Sequence, residues 1–271
     1  MTLDLDAYFA RIGYHGARAA TGDTLRALHE AHVEAIPFEN LAIQLGELPL
    51  RLDLGSLQHK LVQRRRGGYC FEQNLLFAAV LETLGFQVAR CEARVRSNAQ
   101  RVLARTHLTL VVTVGDAQVL CDVGFGGEGL LWPVPIDGAE HAQGDVLLRV
   151  QYEDDLLVLQ SRPAVASGGG VLASNDLYAF RPVAIFAADW EMANWYTSTY
   201  PESRFVTTLT AQRRHRLGRQ VLRGLTYAET VGATTTIREL ARADLVPLLR
   251  AQFGLELPVD AAIRSLDRSA C

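Results

Sequence analysis

The sequence predicts an α+β protein in three successive parts: helical over residues 1–86, β-rich over 87–190 and mixed over 191–271. Three observations carry this. Apolar residues recur at helical spacing in the first part, with glycine or proline at the ends of the runs. From residue 87 the pattern changes to short apolar or alternating stretches separated by turn residues. After residue 190 helical and strand-like stretches are interleaved.

Residues 4–11 and 23–36 read as helices. In the second, Asp23 is a candidate N-cap, and Leu25, Leu28, His29, His32, Val33 and Ile36 share one side. Pro37 ends it. His29 and His32 have the spacing of a ligand pair, but no third ligand stands near them, so they are expected at the edge of the packed stripe. Pro37-Phe38-Glu39-Asn40-Leu41 is a short extended link. Residues 56–65 form a third helix and 70–84 a fourth, with Phe71, Leu75, Ala78 and Ala79 on its apolar side and Gly85 closing it.

Strands are expected over 87–95, 106–114, 119–123, 146–152 and 156–160. Ser167-Gly168-Gly169-Gly170 reads as a flexible connection. A helix over 189–200 stops at Pro201. Strands follow over 205–210, 216–222 and 234–237. A last helix spans 244–253, with Pro247 in its first turn and Gly254 behind it. The run Arg213-Arg214-His215-Arg216 is expected to be a solvated face, with phosphate contact as the alternative.

Of the 271 residues 49% are hydrophobic and 21% charged, and the net charge is −3, so no general attraction to nucleic acid or an anionic membrane is expected. No apolar run approaches a membrane span. Met1-Thr2-Leu3-Asp4-Leu5-Asp6 is acidic and lacks the basic-then-apolar signal pattern, so a reducing cytoplasm is the expected compartment. Cys70, Cys91, Cys121 and Cys271 make no CxxC pair and no regular framework, so neither a metal nor a structural disulfide is expected.

Cys70 has a setting that a packing cysteine does not need. It follows Arg64-Arg65-Arg66-Gly67-Gly68-Tyr69 and stands at a helix start. The glycines allow a tight bend, and the positive end of the helix dipole favours a thiolate. A base comes from the next predicted hairpin. Gly115-Asp116 is a good two-residue turn and pairs Val114 with Ala117. In that register Thr109 faces Asp122 and His107 faces Gly124. His107 and Asp122 then share a face as diagonal neighbours, about 7–8 Å apart at the backbone. Cys121 points the other way. A carboxylate there fixes one imidazole nitrogen and leaves the other for a thiol, so Cys70, His107 and Asp122 are the candidate nucleophile, base and orienting group. The glycine-rich stretch from Gly124 to Gly129 lets backbone N–H groups approach an anion or a carbonyl oxygen.

These motifs in this order resemble the arylamine N-acetyltransferases: Pro37-Phe38-Glu39-Asn40-Leu41, Arg66-Gly67-Gly68-Tyr69-Cys70-Phe71-Glu72, a lone His107 in a strand, and Asp122-Val123-Gly124-Phe125-Gly126. The resemblance covers essentially the whole chain. It implies a helical bundle carrying the cysteine (1–86), a β-barrel carrying the histidine and aspartate (87–190) and an α/β lid (191–271), around a cysteine-protease-like Cys–His–Asp core. It implies acetyl-CoA as acyl donor, a ping-pong mechanism through acetyl-Cys70, and small arylamines, arylhydrazines or hydrazides as acceptors. By the same resemblance Phe38, Val95, Phe125 and Phe205 line the acceptor pocket, Gly126 and Gly127 contact the coenzyme, and Glu39 and Arg66 form a supporting ion pair. The same triad also suits a thiol hydrolase or amidase, or an amide synthase closing a macrocycle. A non-catalytic binding protein is the reading from a different class.

Overall fold

The computed structural model describes residues 2–97, 101–164, 174–258 and 260–267. The chain begins with α1 (Leu5–Ile12) and α2 (Gly22–Ala35), then a short strand β1 (Phe38–Glu39). Next come α3 (Leu41–Gln44), α4 (Leu54–Leu57), a π-helical turn over Gln58–Gln63, and α5 (Cys70–Thr83). Side chains start the early helices: Asp4 accepts the Ala7 N–H at 2.9 Å. Thr21, in extended backbone, accepts the Thr24 N–H at 3.3 Å. The cap of α2 is therefore Thr21 and not Asp23, which lies within the first turn.

A large antiparallel sheet follows, made of β2 (Gln87–Val95), β3 (His107–Val114), β4 (Ala117–Cys121), β5 (Val134–Pro135), β6 (His141–Gln143), β7 (Val146–Glu153), β8 (Leu156–Pro163) and β9 (Asn175–Phe180). Its order is β5-β4-β3-β2-β9-β8-β7-β6, and β5 also touches β7, so the sheet nearly closes into a barrel. Alternation divides its residues. Cys91, Ala93, Val111, Leu120, Val150, Leu159 and Tyr178 fill the inside. Leu108, Leu110 and Val112 face outward into the core formed with Phe77 and Leu81 of α5. That contact sets the helix that begins with Cys70 against the strand that begins with His107.

The last part contains α6 (Ala187–Thr199), α7 (Arg204–Thr207), β10 (Thr210–His215), β11 (Gly218–Arg223), β12 (Thr226–Val231), β13 (Thr234–Glu239), α8 (Leu245–Phe253) and α9 (Arg264–Asp267). Leu245, Leu249 and Phe253 of α8 form one core with Leu209 and with Ala211, Leu222 and Tyr227 of the second sheet. Its order is β1-β10-β11-β12-β13, with Phe38 opposite Gln212. The expected link at 37–41 is thus the edge of a sheet built mostly from the C-terminal part.

Other differences have local causes. The stretch 205–210 is not a strand throughout, because Ser203 caps α7 by accepting the Phe205 N–H at 3.3 Å. The helix expected over 56–65 starts earlier, at α4, and continues as a π-turn. Strands β9 and β12 were not expected, since neither alternates strongly in sequence. His29 and His32 are not at a stripe edge but wholly buried. In the basic run, Arg214 is buried and donates to Gln143 O at 2.9 Å, while Arg216 stays exposed and pairs with Glu30. The glycine run 168–170 and Cys271 lie outside the described residues.

Candidate active site

The bend before Cys70 is built by two segments lying side by side. Glu39 N–H donates to Gly68 O at 3.0 Å, and Gly68 N–H donates to Pro37 O at 3.4 Å. A Cβ on Gly67 would lie 2.1 Å from Pro37 O, so only glycine allows this approach. Gln73 braces the same place, donating to Gly68 O at 2.7 Å and Pro37 O at 3.2 Å. Of the three arginines before the glycines only Arg66 is buried, and its Nε donates to Glu39 Oε1 at 3.3 Å. The Arg66 and Lys60 charges and the hydrogen bonds to Leu41 and Arg66 hold the Glu39 carboxyl below its ordinary range despite burial. At the helix start Tyr69 N–H donates to Glu72 Oε2 at 3.3 Å, and Lys60 pairs with Glu72 at 2.7 Å.

Cys70 is therefore the first residue of α5, with 3% of its surface exposed. Its thiol donates to Thr106 O at 3.7 Å, and the His107 ring is near enough for Cys70 to act on the ring's charge. The hairpin has the predicted register, with Val114 opposite Ala117 and Leu110 opposite Cys121. Just past the end of that ladder His107 Nε2–H donates to Asp122 Oδ2 at 2.6 Å. Nδ1 is then the ring nitrogen left for Cys70. Burial pushes the imidazole down, but the Asp122 charge and hydrogen bond and the Cys70 contact outweigh it and raise His107 to about 10. The same pairing, with donors from Asn74 and Gly124, holds the Asp122 carboxyl down against burial.

Asp122 is fixed from other sides by residues that the sequence did not single out for this site. Asn74, one turn after Cys70 on α5, donates to Asp122 Oδ1 at 2.9 Å and to Leu108 O at 2.7 Å. It accepts the Val123 N–H at 3.0 Å. Its i+4 spacing from Cys70 was the available signal. His29 accepts the Asp122 N–H at 3.1 Å. Tyr178, on the unpredicted β9, lies 4.9 Å from the His107 ring and shares a hydrogen bond with Thr109 at 3.2 Å. Gly124 packs on Cys70 itself: a Cβ there would be 2.7 Å from Cys70 Cα.

The four expected pocket residues fall into two groups. Phe125 meets the His107 ring edge-on at 5.2 Å and Tyr178 at 5.1 Å. Val95 is opposite Tyr178 in register, on the face that carries His107. Phe205 stacks obliquely on Phe38 at 5.9 Å and edge-on with Tyr69 at 5.4 Å. Asn40 and Gln44 place it by donating to Phe205 O at 2.8 and 2.9 Å. Phe38 lies alongside Gly126, whose Cβ would come within 3.5 Å of its ring, so the groups adjoin. Gly126 is half-buried, but Gly127 N–H is already donated to Gln212 Oε1 at 2.9 Å. Surface cavities of about 460 and 270 Å³ lie elsewhere, and neither is lined by Cys70, His107 or Phe125.

Among the described residues no group of three or more His, Cys, Asp or Glu side chains could hold a metal ion. No helix among them is long and apolar enough to cross a membrane. A thiol at a helix start, an imidazole against it and a carboxylate behind the imidazole is the arrangement of enzymes that use a cysteine nucleophile. Comparison with known proteins narrows the class. The sequence profile of the N-acetyltransferase family matches residues 21–262. The arylamine N-acetyltransferase of Mycolicibacterium smegmatis is 37% identical over 266 residues, covering 95% of this chain and 94% of that one. The solved arylamine N-acetyltransferase of Nocardia farcinica is 41% identical with a TM-score of 0.85, covering 96% and 93% of the two chains. That of Mycobacterium marinum, solved in complex with CoA, is 34% identical with a TM-score of 0.87, covering 98% and 99%. The chain belongs to the arylamine N-acetyltransferase family, and it is an acyltransferase of that family.

Proposed function

We propose that this chain moves the acetyl group of acetyl-CoA to the nitrogen of an arylamine, arylhydrazine or hydrazide, through a thioester on Cys70. The observation that carries the reading is the line from Cys70 through His107 to Asp122, with the 2.6 Å bond at its far end. His107 takes the Cys70 proton at Nδ1 before acetyl-CoA arrives and, with its pKa raised to about 10, keeps it at neutral pH as an imidazolium beside the thiolate. The sulfur attacks the acetyl carbonyl carbon, the bond from that carbon to the CoA sulfur breaks, and the proton on His107 goes to the departing thiolate. The amine nitrogen then attacks acetyl-Cys70, its proton passes to His107, and the Cys70 sulfur leaves. Donor and acceptor use the same sulfur in turn, so the kinetics are ping-pong.

In this reading Phe38, Val95, Phe125 and Phe205 receive the acceptor's ring, and aromatic walls favour an aryl amine over water or a peptide. Gly126 offers half-exposed backbone to the coenzyme, with Gly127 beside it. Glu39 and Arg66 brace the bend. The three parts read from the sequence divide the work: 1–86 carries the sulfur, 87–190 the imidazole and carboxylate, and 191–271 covers them. A reducing cytoplasm keeps the thiol usable.

Intact-protein and peptide mass spectrometry after mixing with acetyl-CoA alone tests this. One acetyl group on Cys70 is expected, and adding an arylamine should remove it and yield the N-acetyl product. An unmodified Cys70, or a label on Cys91 or Cys121, would sink the scheme.

A further inference from the structure

We infer that His29 is a positioning residue for the reaction: one neutral imidazole clamps both ends of the loop that begins with Asp122 and carries Phe125, Gly126 and Gly127. His29 lies on α2, 93 positions from Asp122, and none of its surface is exposed. Its Nε2 accepts the Asp122 N–H at 3.1 Å. Its Nδ1 lies 3.0 Å from Leu131 O. A backbone amide can only donate and a carbonyl can only accept. The partners therefore fix the tautomer: Nδ1 carries the hydrogen and Nε2 carries the lone pair. The ring is seated edge-on against Phe77 of α5 at 5.7 Å, on the same helix as Cys70. Residues 122–131 are thus tied at their first and last positions to one side chain of the helical part.

Three features separate this from ordinary packing. An apolar side chain of the same size would leave the Asp122 amide and the Leu131 carbonyl without these partners, and Leu131 is fully buried. Asn74 and Gly124 hold the Asp122 carboxylate, whereas His29 holds its backbone, so the two constraints are complementary. The clamp also works only while the ring is neutral. The charged and titratable groups near it are Asp122 from the loop, Glu30 on its own helix and His32 one turn on. Burial outweighs the two carboxylates and lowers His29 to about 4, so the ring is uncharged at neutral pH.

The inference rests on Cys70, His107 and Asp122 being the reacting set, and two readouts separate its failure from the failure of that reading. The first is kcat/KM for acetyl transfer to an arylamine. The second is the rate of Cys70 alkylation by iodoacetamide at pH 7, which needs neither acetyl-CoA nor an acceptor. His29→Phe keeps a ring and removes both polar contacts. His29→Gln supplies an NH2 donor group and one oxygen acceptor and does not titrate. Per folded molecule, His29→Phe should lower both readouts about 10- to 100-fold, the loss expected from a small misplacement of reacting groups. His29→Gln should restore both to within about threefold of the parent. A packing role alone would lower the melting temperature of both variants and leave both rates unchanged. Folded His29→Phe with parental rates overturns the inference. Where His29→Phe does not fold, His29→Asn takes its place, since its shorter amide cannot reach both the Asp122 N–H and Leu131 O: a folded variant slowed about tenfold or more supports the clamp, and one with parental rates overturns it.

Discussion

His107 Nε2 sits 2.6 Å from Asp122 Oδ2, and a two-residue turn puts it there. Gly115, with φ 60°, allows the tight connection, and the ladder from Val114–Ala117 to Leu110–Cys121 carries the register to the site. One residue of slip would turn the two side chains to opposite faces. The contact also sets the charge of the ring. Without the carboxylate, burial would be opposed only by Cys70 on a group that is 4% exposed.

Asp122→Asn tests that account. The amide cannot supply the charge that raises His107, so burial should take its pKa well down from about 10. NMR titration of His107 reads the shift. Acetyl transfer should fall by about 10²–10⁴-fold, as for other triads with a neutralised carboxylate. The sign in stability follows from the raised pKa. The His107 contribution is full below pH 6.5 and is lost as pH rises through about 10, and the variant should lack that alkaline loss.

Gly124→Ala should fail for a steric reason. The new methyl would lie 2.7 Å from Cys70 Cα and 2.8 Å from Asn74 Nδ2, and the first of these atoms is backbone. We expect a loss of about 1–3 kcal/mol in chemical denaturation, together with a strong loss of transfer activity. A variant with parental stability and activity would contradict the packing described.

Glu39→Gln removes one member of a buried pair whose side chains are 0% and 6% exposed. The Arg66 charge is then left without its buried partner, which costs about 3–5 kcal/mol in comparable cases. Thermal and urea unfolding measure it. Because Glu39 N–H and Gly68 O join the two segments, Cys70 alkylation should slow as well.

The two buried histidines of α2 should make the protein acid-labile before its carboxylates titrate. Burial lowers His29 to about 4 and His32 to about 3, from 6.5. The unfolded chain binds protons on them below pH 6.5 and the folded chain does not until those lower values. Their contribution is therefore present above pH 6.5 and lost as pH falls toward 4. The slope is about 1.4 kcal/mol per pH unit for each histidine. Urea midpoints between pH 7 and 4.5 should show it, and His32→Gln should remove about half of the slope.

The sequence by itself determined the local devices. Two glycines before Cys70 make the bend, and a two-residue turn sets the hairpin parity that puts His107 and Asp122 on one face. A 3.6-residue period, a period of two and a turn type are all readable within a few neighbouring residues. Tertiary structure decided what meets across long separations. Strand β1 pairs with β10, Asn40 places Phe205, Gln212 takes the Gly127 amide, and His29 accepts from Asp122. Each of these joins groups at least 85 positions apart. No local period encodes such pairs, because a buried donor finds its acceptor only once packing has excluded water from both.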